Sequence, residues 1–75
     1  IEVDFYIPKK RYAVQVSFSI ADESTRDREI EALKKFNNLE KLERLVIVTY
    51  DEEDTIELED NQKIEVIPAW KWLLE

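Results

Sequence analysis

The side chains of this sequence that could do chemistry are carboxylates, hydroxyls and lysine amines. The chain contains no cysteine and no histidine. That composition excludes disulfides, thiolate nucleophiles, the usual zinc ligands and an imidazole general base. Near the start of the chain, four polar residues alternate with apolar residues in two neighbouring stretches, and this pattern makes them candidates for a common site. The members of this polar group are Glu2, Asp4, Gln15 and Ser17.

Two stretches with a period of two predict the strands that position this group. The apolar residues of the first stretch are Ile1, Val3, Phe5 and Ile7. Those of the second stretch are Tyr12, Val14, Val16, Phe18 and Ile20. Pro8 opens the segment between them, which is typical of a turn. The two stretches are therefore expected to form an antiparallel hairpin.

A four-residue loop over residues 8–11 sets the register of this hairpin. A slip by one residue would place apolar faces against polar ones, which disfavours other registers. The facing pairs are then Ile7 and Tyr12, Phe5 and Val14, Asp4 and Gln15, Glu2 and Ser17. The polar group is thereby gathered on one face of the sheet.

A helix is expected after the hairpin, with Asp22 as its N-cap. Its apolar stripe is narrow and consists of Ile30, Leu33 and Phe36, extended by Ala32 and Leu39. The chain contains no glycine, so left-handed backbone positions must use Asn or Asp. The candidates for such positions are Asn37, Asn38, Asp51, Asp60 and Asn61. Asn37 or Asn38 is expected to end the helix.

Residues 45–48 are continuous and mostly β-branched, which predicts a strand buried on both faces. Because a helix separates this strand from the hairpin, we expect a right-handed crossover and parallel pairing. A charged, solvated turn is expected at residues 51–54. A second hairpin follows, in which a three-residue loop with Asn61 left-handed sets Ile56 opposite Ile64.

The end of the chain predicts a short helix with Pro68 in its first turn. Its expected packing residues are Trp70, Leu73 and Leu74. Trp70 and Trp72 are two positions apart, so they cannot both face one core. One of the two is expected to pack inward and the other to be available to a partner.

Together these elements describe one small α+β domain over residues 1–75. The order is an antiparallel hairpin, a crossover helix, a parallel strand, a second hairpin and a short C-terminal helix. A β-grasp arrangement is the alternative fold, and a helix after the last strand argues against it. Since Ile1 already belongs to an alternating pattern, we expect the chain to be a C-terminal piece of a longer protein.

The charge of the chain restricts its partners. The formal net charge is −7, with 18 acidic and 11 basic residues. Such a surface repels a phosphate backbone, so nucleic acid is not an expected partner. No apolar run is long enough to span a bilayer and no signal peptide is visible. A cytoplasmic setting is expected.

Five stretches carry a family resemblance, and they are residues 2–5, 15–17, 22–31, 48–52 and 67–74. Through them the chain resembles, nearly end to end, the C-terminal PD-(D/E)XK nuclease-like domain of prokaryotic AAA-type ATPases. The most specific part is the run Pro68-Ala69-Trp70-Lys71-Trp72-Leu73-Leu74. The resemblance implies a partial restriction-endonuclease-like core, because the helix and first strand that open such a core are missing.

In that family an Asp on one strand and a Glu-x-Lys on the next bind a divalent metal and orient the attacking water. The resemblance places Asp4, Gln15 and Ser17 at these positions. Gln15 replaces a carboxylate, and a neutral amide oxygen is a weaker Mg²⁺ ligand. Ser17 replaces the lysine and removes the positive charge that would stabilise developing negative charge. The site that the resemblance implies is therefore vestigial.

The expected function is that of a non-catalytic, degenerate nuclease-fold module that regulates or contacts an AAA-type ATPase. No catalytic residue and no cofactor are expected in this chain. The alternative is a residual metal-dependent nuclease that uses Asp4 and Glu2 as its metal ligands. Association of the chain with itself, as a homodimer, is also expected because a domain of this size has a small core. Trp70 and Trp72 are the expected contact residues.

Overall fold

The structure, a computed structural model, describes residues 3–75 and contains a five-stranded sheet with a helix against each face. The elements are β1 (Phe5–Ile7), β2 (Tyr12–Val16), α1 (Glu23–Leu39), β3 (Arg44–Thr49), β4 (Asp54–Glu57), β5 (Lys63–Pro68) and α2 (Ala69–Trp72). The part of the predicted first strand that falls on Ile1 and Glu2 lies outside the described residues. Val3 and Asp4 precede β1.

The first hairpin has the predicted register. Phe5 pairs with Val14 and Ile7 with Tyr12 across a four-residue loop. The last loop residue, Arg11, has a φ of 56° and donates its backbone N–H to the Pro8 carbonyl at 3.2 Å. This left-handed position was not predicted. An arginine accepts it because the turn requires it and the chain has no glycine to offer.

The strands follow the order β1-β2-β3-β5-β4. The three central strands β2, β3 and β5 are parallel, and β1 and β4 pair antiparallel at the two edges. The α+β class, the crossover through α1 and the parallel pairing of β2 with β3 are confirmed. The insertion of β5 between β3 and β4 was not predicted. It accounts for the burial of Ile64, Val66 and Ile67, since a central strand is covered on both faces.

The second hairpin also has the predicted register, with Ile56 opposite Ile64. Its loop contains two left-handed residues, Asp60 with φ of 60° and Asn61 with φ of 61°. The Leu58 N–H donates to the Gln62 carbonyl at 2.8 Å and closes the hairpin. The prediction of a three-residue loop is confirmed, and the helix α2 that argued against a β-grasp arrangement is present.

Helix α1 begins as predicted and ends later than predicted. Asp22 is the N-cap, and its Oδ2 accepts the Thr25 N–H at 3.0 Å. Asn37 and Asn38 do not end the helix, which continues to Leu39. The Asn37 Oδ1 instead accepts the Leu42 N–H at 3.1 Å, so its amide holds the connection to β3. Asp51, the remaining candidate, is not left-handed either. Within residues 3–75 neither helix has the length and apolarity needed to cross a membrane.

The face of the sheet under α1, here called the α1 face, is closed. Leu33 of α1 is completely buried, and Ile30 and Phe36 pack partly buried beside it, as predicted. The buried residues around Leu33 are Ala13, Ile20, Leu42, Leu45, Ile47, Ile64 and Val66. Leu39, predicted to extend the stripe, is exposed because it lies in the last turn, past the edge of this cluster.

The opposite face, here called the α2 face, is covered only in part. Val14, Val46, Val48 and Ile67 form its buried cluster, and Ala69 and Trp72 pack against it. The prediction that Trp70, Leu73 and Leu74 pack inward is wrong, because all three are exposed. Trp72 is the tryptophan that packs inward. Pro68 ends β5 and is the N-cap of α2, one position earlier than predicted.

Candidate functional site

Asp4 and Gln15 lie side by side where the first hairpin opens. The Gln15 Oε1 accepts the Asp4 backbone N–H at 2.7 Å. The Asp4 Oδ2 accepts the Val16 backbone N–H at 2.7 Å. The carboxylate therefore binds a backbone group of β2 just beyond the last strand pair, Phe5 with Val14. Asp4 thus provides a hydrogen-bond acceptor for a backbone N–H at the open end of the first hairpin, as backbone polar groups require.

Gln15 joins three parts of the molecule through its side-chain amide. It is only 5% exposed, although it is polar. Its oxygen binds the start of the chain at Asp4, and its Nε2 donates to the Glu29 Oε1 of α1 at 2.8 Å. Both ends of the amide thus have partners, as buried polar groups require. Glu29 was not among the predicted site residues, because nothing in the sequence shows which helix position lies over Gln15.

The other two predicted members of the group do not join this contact. The Ser17 hydroxyl donates to the Ser19 carbonyl at 2.9 Å, and the Ser17 N–H donates to the Val48 carbonyl at 2.9 Å. Ser17 therefore lies directly after β2, and its N–H adds one hydrogen bond to the pairing with β3. The predicted strand was longer than β2, because it was expected to continue to Ile20 and β2 ends at Val16. Glu2 lies outside the described residues.

An open cleft of about 570 Å³ lies beside Asp4 and Gln15. Charges of both signs line it, and the charged lining residues are Asp4, Arg28, Glu29, Glu31 and Lys35. Within residues 3–75 there is no group of three or more His, Cys, Asp or Glu side chains placed to hold a metal ion. The hydrogen bonds at this place connect a strand end, a sheet face and a helix.

A second polar contact, at Glu52, was missed by the sequence reasoning. Residues 51–54 were predicted to be a solvated turn, but the Glu52 carboxylate accepts from the Ser19 hydroxyl at 2.6 Å and from the Ile20 N–H at 2.8 Å. These two hydrogen bonds hold the pKa of Glu52 below its ordinary value. The loop after β3 is thereby fastened to the loop after β2.

Thr49 fixes the backbone at Glu52. The Thr49 hydroxyl accepts the Glu52 N–H at 3.0 Å and donates to the Glu52 carbonyl at 2.8 Å. A threonine three residues before a glutamate is the signal that could have revealed this contact, because a hydroxyl at that spacing reaches the later N–H.

Arg44 is the centre of the charged contacts on the α2 face. Its Nε and Nη2 bind both carboxylate oxygens of Glu65 at 2.8 and 2.9 Å, and its Nη1 binds Glu75 at 2.7 Å. The guanidinium carbon lies 5.4 Å from the ring centres of both Tyr12 and Trp72. The two carboxylates raise the pKa of Arg44, and Arg44 lowers the pKa of Glu75. The position of Trp72 follows from this contact and from the cluster beneath it.

The described residues also include a set of exposed apolar side chains. Beyond Trp72, several large apolar side chains of the α2 face and of the loops that follow β2 and β3 are more than half exposed. We call them the apolar strip, and they are Phe5, Val16, Phe18, Tyr50, Trp70, Leu73 and Leu74. Phe18 and Tyr50 stack with ring centres 5.2 Å apart, and the Tyr50 N–H donates to the Phe18 carbonyl at 3.0 Å. Exposed apolar surface of this kind marks contact sites for other molecules.

Comparison with known proteins gives no match to the chain among family models, curated proteins or solved structures.

Proposed function

We propose that this chain is a non-catalytic interaction module, a degenerate nuclease-like fold that acts through protein contacts made by its α2 face. The observation that carries the proposal is a contrast between two places. The polar side chains at Asp4 and Gln15 are engaged with each other and with the backbone, whereas the apolar strip has large side chains exposed.

The hydrogen bonds made by Asp4 and Gln15 support a structural role for these two residues. One oxygen of Asp4 is engaged with Val16, and both ends of the Gln15 amide are engaged with Asp4 and Glu29. A metal at this place would have to replace these bonds, and removing a partner from a buried amide costs about 1–3 kcal/mol. Ser17 brings no positive charge and faces its own loop.

The apolar strip supports the protein-contact role. Its side chains come from the start of the first hairpin, from the ends of β2 and β3, and from α2. Aromatic residues concentrate the binding energy of protein interfaces because they bury a large area with little loss of rotamer freedom. Four of the strip's members are aromatic, namely Phe5, Phe18, Tyr50 and Trp70.

The AAA-type ATPase context and a cytoplasmic setting complete the proposal, and they rest on the sequence stretches that resemble that family. The coding sequence upstream of Ile1 tests this context. A phosphate-binding loop of the form G-x-x-x-x-G-K-[ST] after a strand would support it. An upstream reading frame that lacks any nucleotide-binding motif would contradict it.

A plasmid assay tests the absence of catalysis. Supercoiled DNA incubated with the chain and Mg²⁺ or Mn²⁺ should remain intact, because the vestigial site lacks its second carboxylate and its lysine. Asp4→Asn is the control variant, since it keeps a hydrogen-bond acceptor for Val16. Nicking that requires the metal and disappears in Asp4→Asn would overturn the proposal.

One observation favours the second candidate, a residual metal-dependent nuclease. Glu29 brings a second carboxylate to the cleft that Asp4 lines. A Gln15→Glu variant separates the two functions, because it sets a third carboxylate between Asp4 and Glu29. If Asp4, Gln15 and Glu29 have only a structural role, the variant should be less stable than the parent by about 1–3 kcal/mol. Addition of Mn²⁺ should then not restore its stability. Recovery of the melting temperature by Mn²⁺, absent from the parent chain, would favour the nuclease.

A further inference from the structure

Helix α2 has two chemically different sides. Lys71 forms an ion pair with Glu53, and Glu75, one turn later, binds Arg44. Trp70, Leu73 and Leu74 are 61%, 79% and 80% exposed. Their spacing of three and four positions places them together on the other side of the helical turn, which continues through the bond from the Leu73 N–H to the Ala69 carbonyl. These three side chains form an apolar ridge on one side of α2, and we call them the ridge.

An uncovered strip of sheet belongs to the same face. Helix α2 lies on β3 and β5, and its Trp72 packs against the cluster that contains Val14 of β2, but Phe5 of β1 and Val16 at the end of β2 stay more than half exposed. Phe5, the partner of Val14 in the register, is 61% exposed, and Val16 is 51% exposed. We call the exposed surface at Phe5 and Val16 the gap.

A ridge and a gap on one surface make an isologous contact possible. In a two-fold dimer each surface patch meets its own copy, so the ridge of one chain can cover the gap of the other and the reverse. We infer that the α2 face binds a second copy of this chain, with the Trp70 side of α2 placed over Phe5 and Val16 of the partner copy. This inference rests on the proposed function and names its first partner.

The charges of the face favour a copy over a charged partner. The members of the apolar strip are all uncharged. Arg44 and Lys71 beside them are already paired with acidic side chains of the same chain. Within residues 3–75 the members of the strip offer no charged side chain to a charged peptide, and the strip of a second copy brings none either. The net charge of −7 opposes the contact only at long range, and salt screens that repulsion.

The available area predicts a weak dimer. The molecule measures 29 × 28 × 22 Å, so half of one face and its protruding side chains supply on the order of 500 Å² from each copy, near the lower limit for a specific interface. We therefore expect a dissociation constant on the order of 10–100 μM. Association should strengthen as the salt concentration rises, which is opposite to a contact held by ion pairs.

Sedimentation equilibrium of the folded chain tests the inference, with three variants that each add one negative charge. Trp70→Glu changes the ridge and Phe5→Glu changes the gap, and each should weaken dimerisation at least about tenfold. Leu39→Glu is the matched control, because Leu39 is 68% exposed at the end of α1 and outside the strip. It should leave the dissociation constant within about twofold of the parent.

A dilution series by NMR gives a second measurement that needs no variant. The indole N–H signal of Trp70 should move with concentration, while that of Trp72, held under Arg44, should move less. A chain that stays monomeric up to about 1 mM at high salt overturns the inference. Equal weakening by Leu39→Glu, or no weakening by the other two variants, overturns it as well. A monomeric chain would contradict this inference alone, whereas metal-dependent nicking of DNA would contradict the proposed function. The two failures are therefore distinguishable.

Discussion

The two faces of the sheet are built from the same strands and differ in what covers them. On the α1 face a helix of 17 residues lies over Leu45, Ile47 and Ile64, which have no exposed surface. On the α2 face a helix of four residues covers the centre and leaves Phe5 and Val16 more than half exposed. The strands carry apolar residues at alternate positions of both kinds, so they contribute apolar side chains to both faces. The two faces therefore differ in the length of the helix that covers them.

Two neighbours on β2 show what this difference teaches. Gln15 points to the α1 face and is 5% exposed, whereas Val16 points to the α2 face and is 51% exposed. Residue type alone predicts the reverse order. The polar residue is buried because α1 covers it and because Asp4 and Glu29 satisfy its amide. The apolar residue is exposed because no element of residues 3–75 covers the end of β2 on its side.

The largest effect is expected from truncation in the closed face. Leu33→Ala should lower the free energy of unfolding by about 2–5 kcal/mol, because it leaves a cavity at the centre of the α1 face. Val16→Ala, on the open face, should cost less than about 1 kcal/mol. Urea unfolding followed by circular dichroism measures both values. Equal losses would show that the two faces do not differ in packing.

A smaller effect is expected from the buried amide. Gln15→Leu keeps the volume of the side chain and removes the partners of the Asp4 N–H and of Glu29, so it should cost about 1–3 kcal/mol. Glu29→Gln keeps an acceptor for the Gln15 amide and is the control, with an expected loss of less than about 1 kcal/mol. If Gln15→Leu is as stable as the parent, the closed face does not depend on its polar bridge.

On the open face the arginine contact should matter less. Arg44→Lys cannot bind both Glu65 oxygens while stacking on Tyr12 and Trp72, so it should cost about 1–2 kcal/mol. Arg11→Lys is the matched control, because the Arg11 pair with Glu43 is exposed and such pairs contribute about 0–1 kcal/mol. Thermal melts of both variants provide the comparison. If Arg11→Lys loses as much stability as Arg44→Lys, the contacts of Arg44 with Trp72 and Glu75 do not hold α2 in place.

The smallest effect is expected at Glu52, which connects the loop after β3 to the loop after β2. Its pKa is lower in the folded chain than its ordinary value of 4.5. The stability it contributes is therefore complete above about pH 4.5 and is lost as the pH falls through the folded pKa. Glu52→Gln should reduce the loss of stability at acidic pH, and Ser19→Ala, which removes one of the two donors, should have an intermediate effect. Unfolding curves between neutral and acidic pH measure it, and an unchanged acid limb in Glu52→Gln would contradict the assignment.

Much of the local structure could be predicted because neighbours in sequence determine it. The register of the first hairpin follows from a period of two and a four-residue loop, and the structure pairs Phe5 with Val14 as expected. The N-cap at Asp22 and the left-handed Asn61 follow from side chains that satisfy or tolerate their own backbone. Because the register was right, the adjacency of Asp4 and Gln15 was right as well.

What the sequence by itself determined is therefore the order of strands and helices along the chain, the register of the two hairpins and the class of the fold. Only the tertiary structure decided that β5 enters the centre of the sheet, that Glu29 lies over Gln15 and that Trp72 packs inward while Trp70 is exposed. Each of these depends on which elements meet in space, and a period of two or 3.6 describes only one element at a time. Burial is a property of the pair of surfaces that meet, so the difference between the closed and the open face could be seen only once both helices were in place.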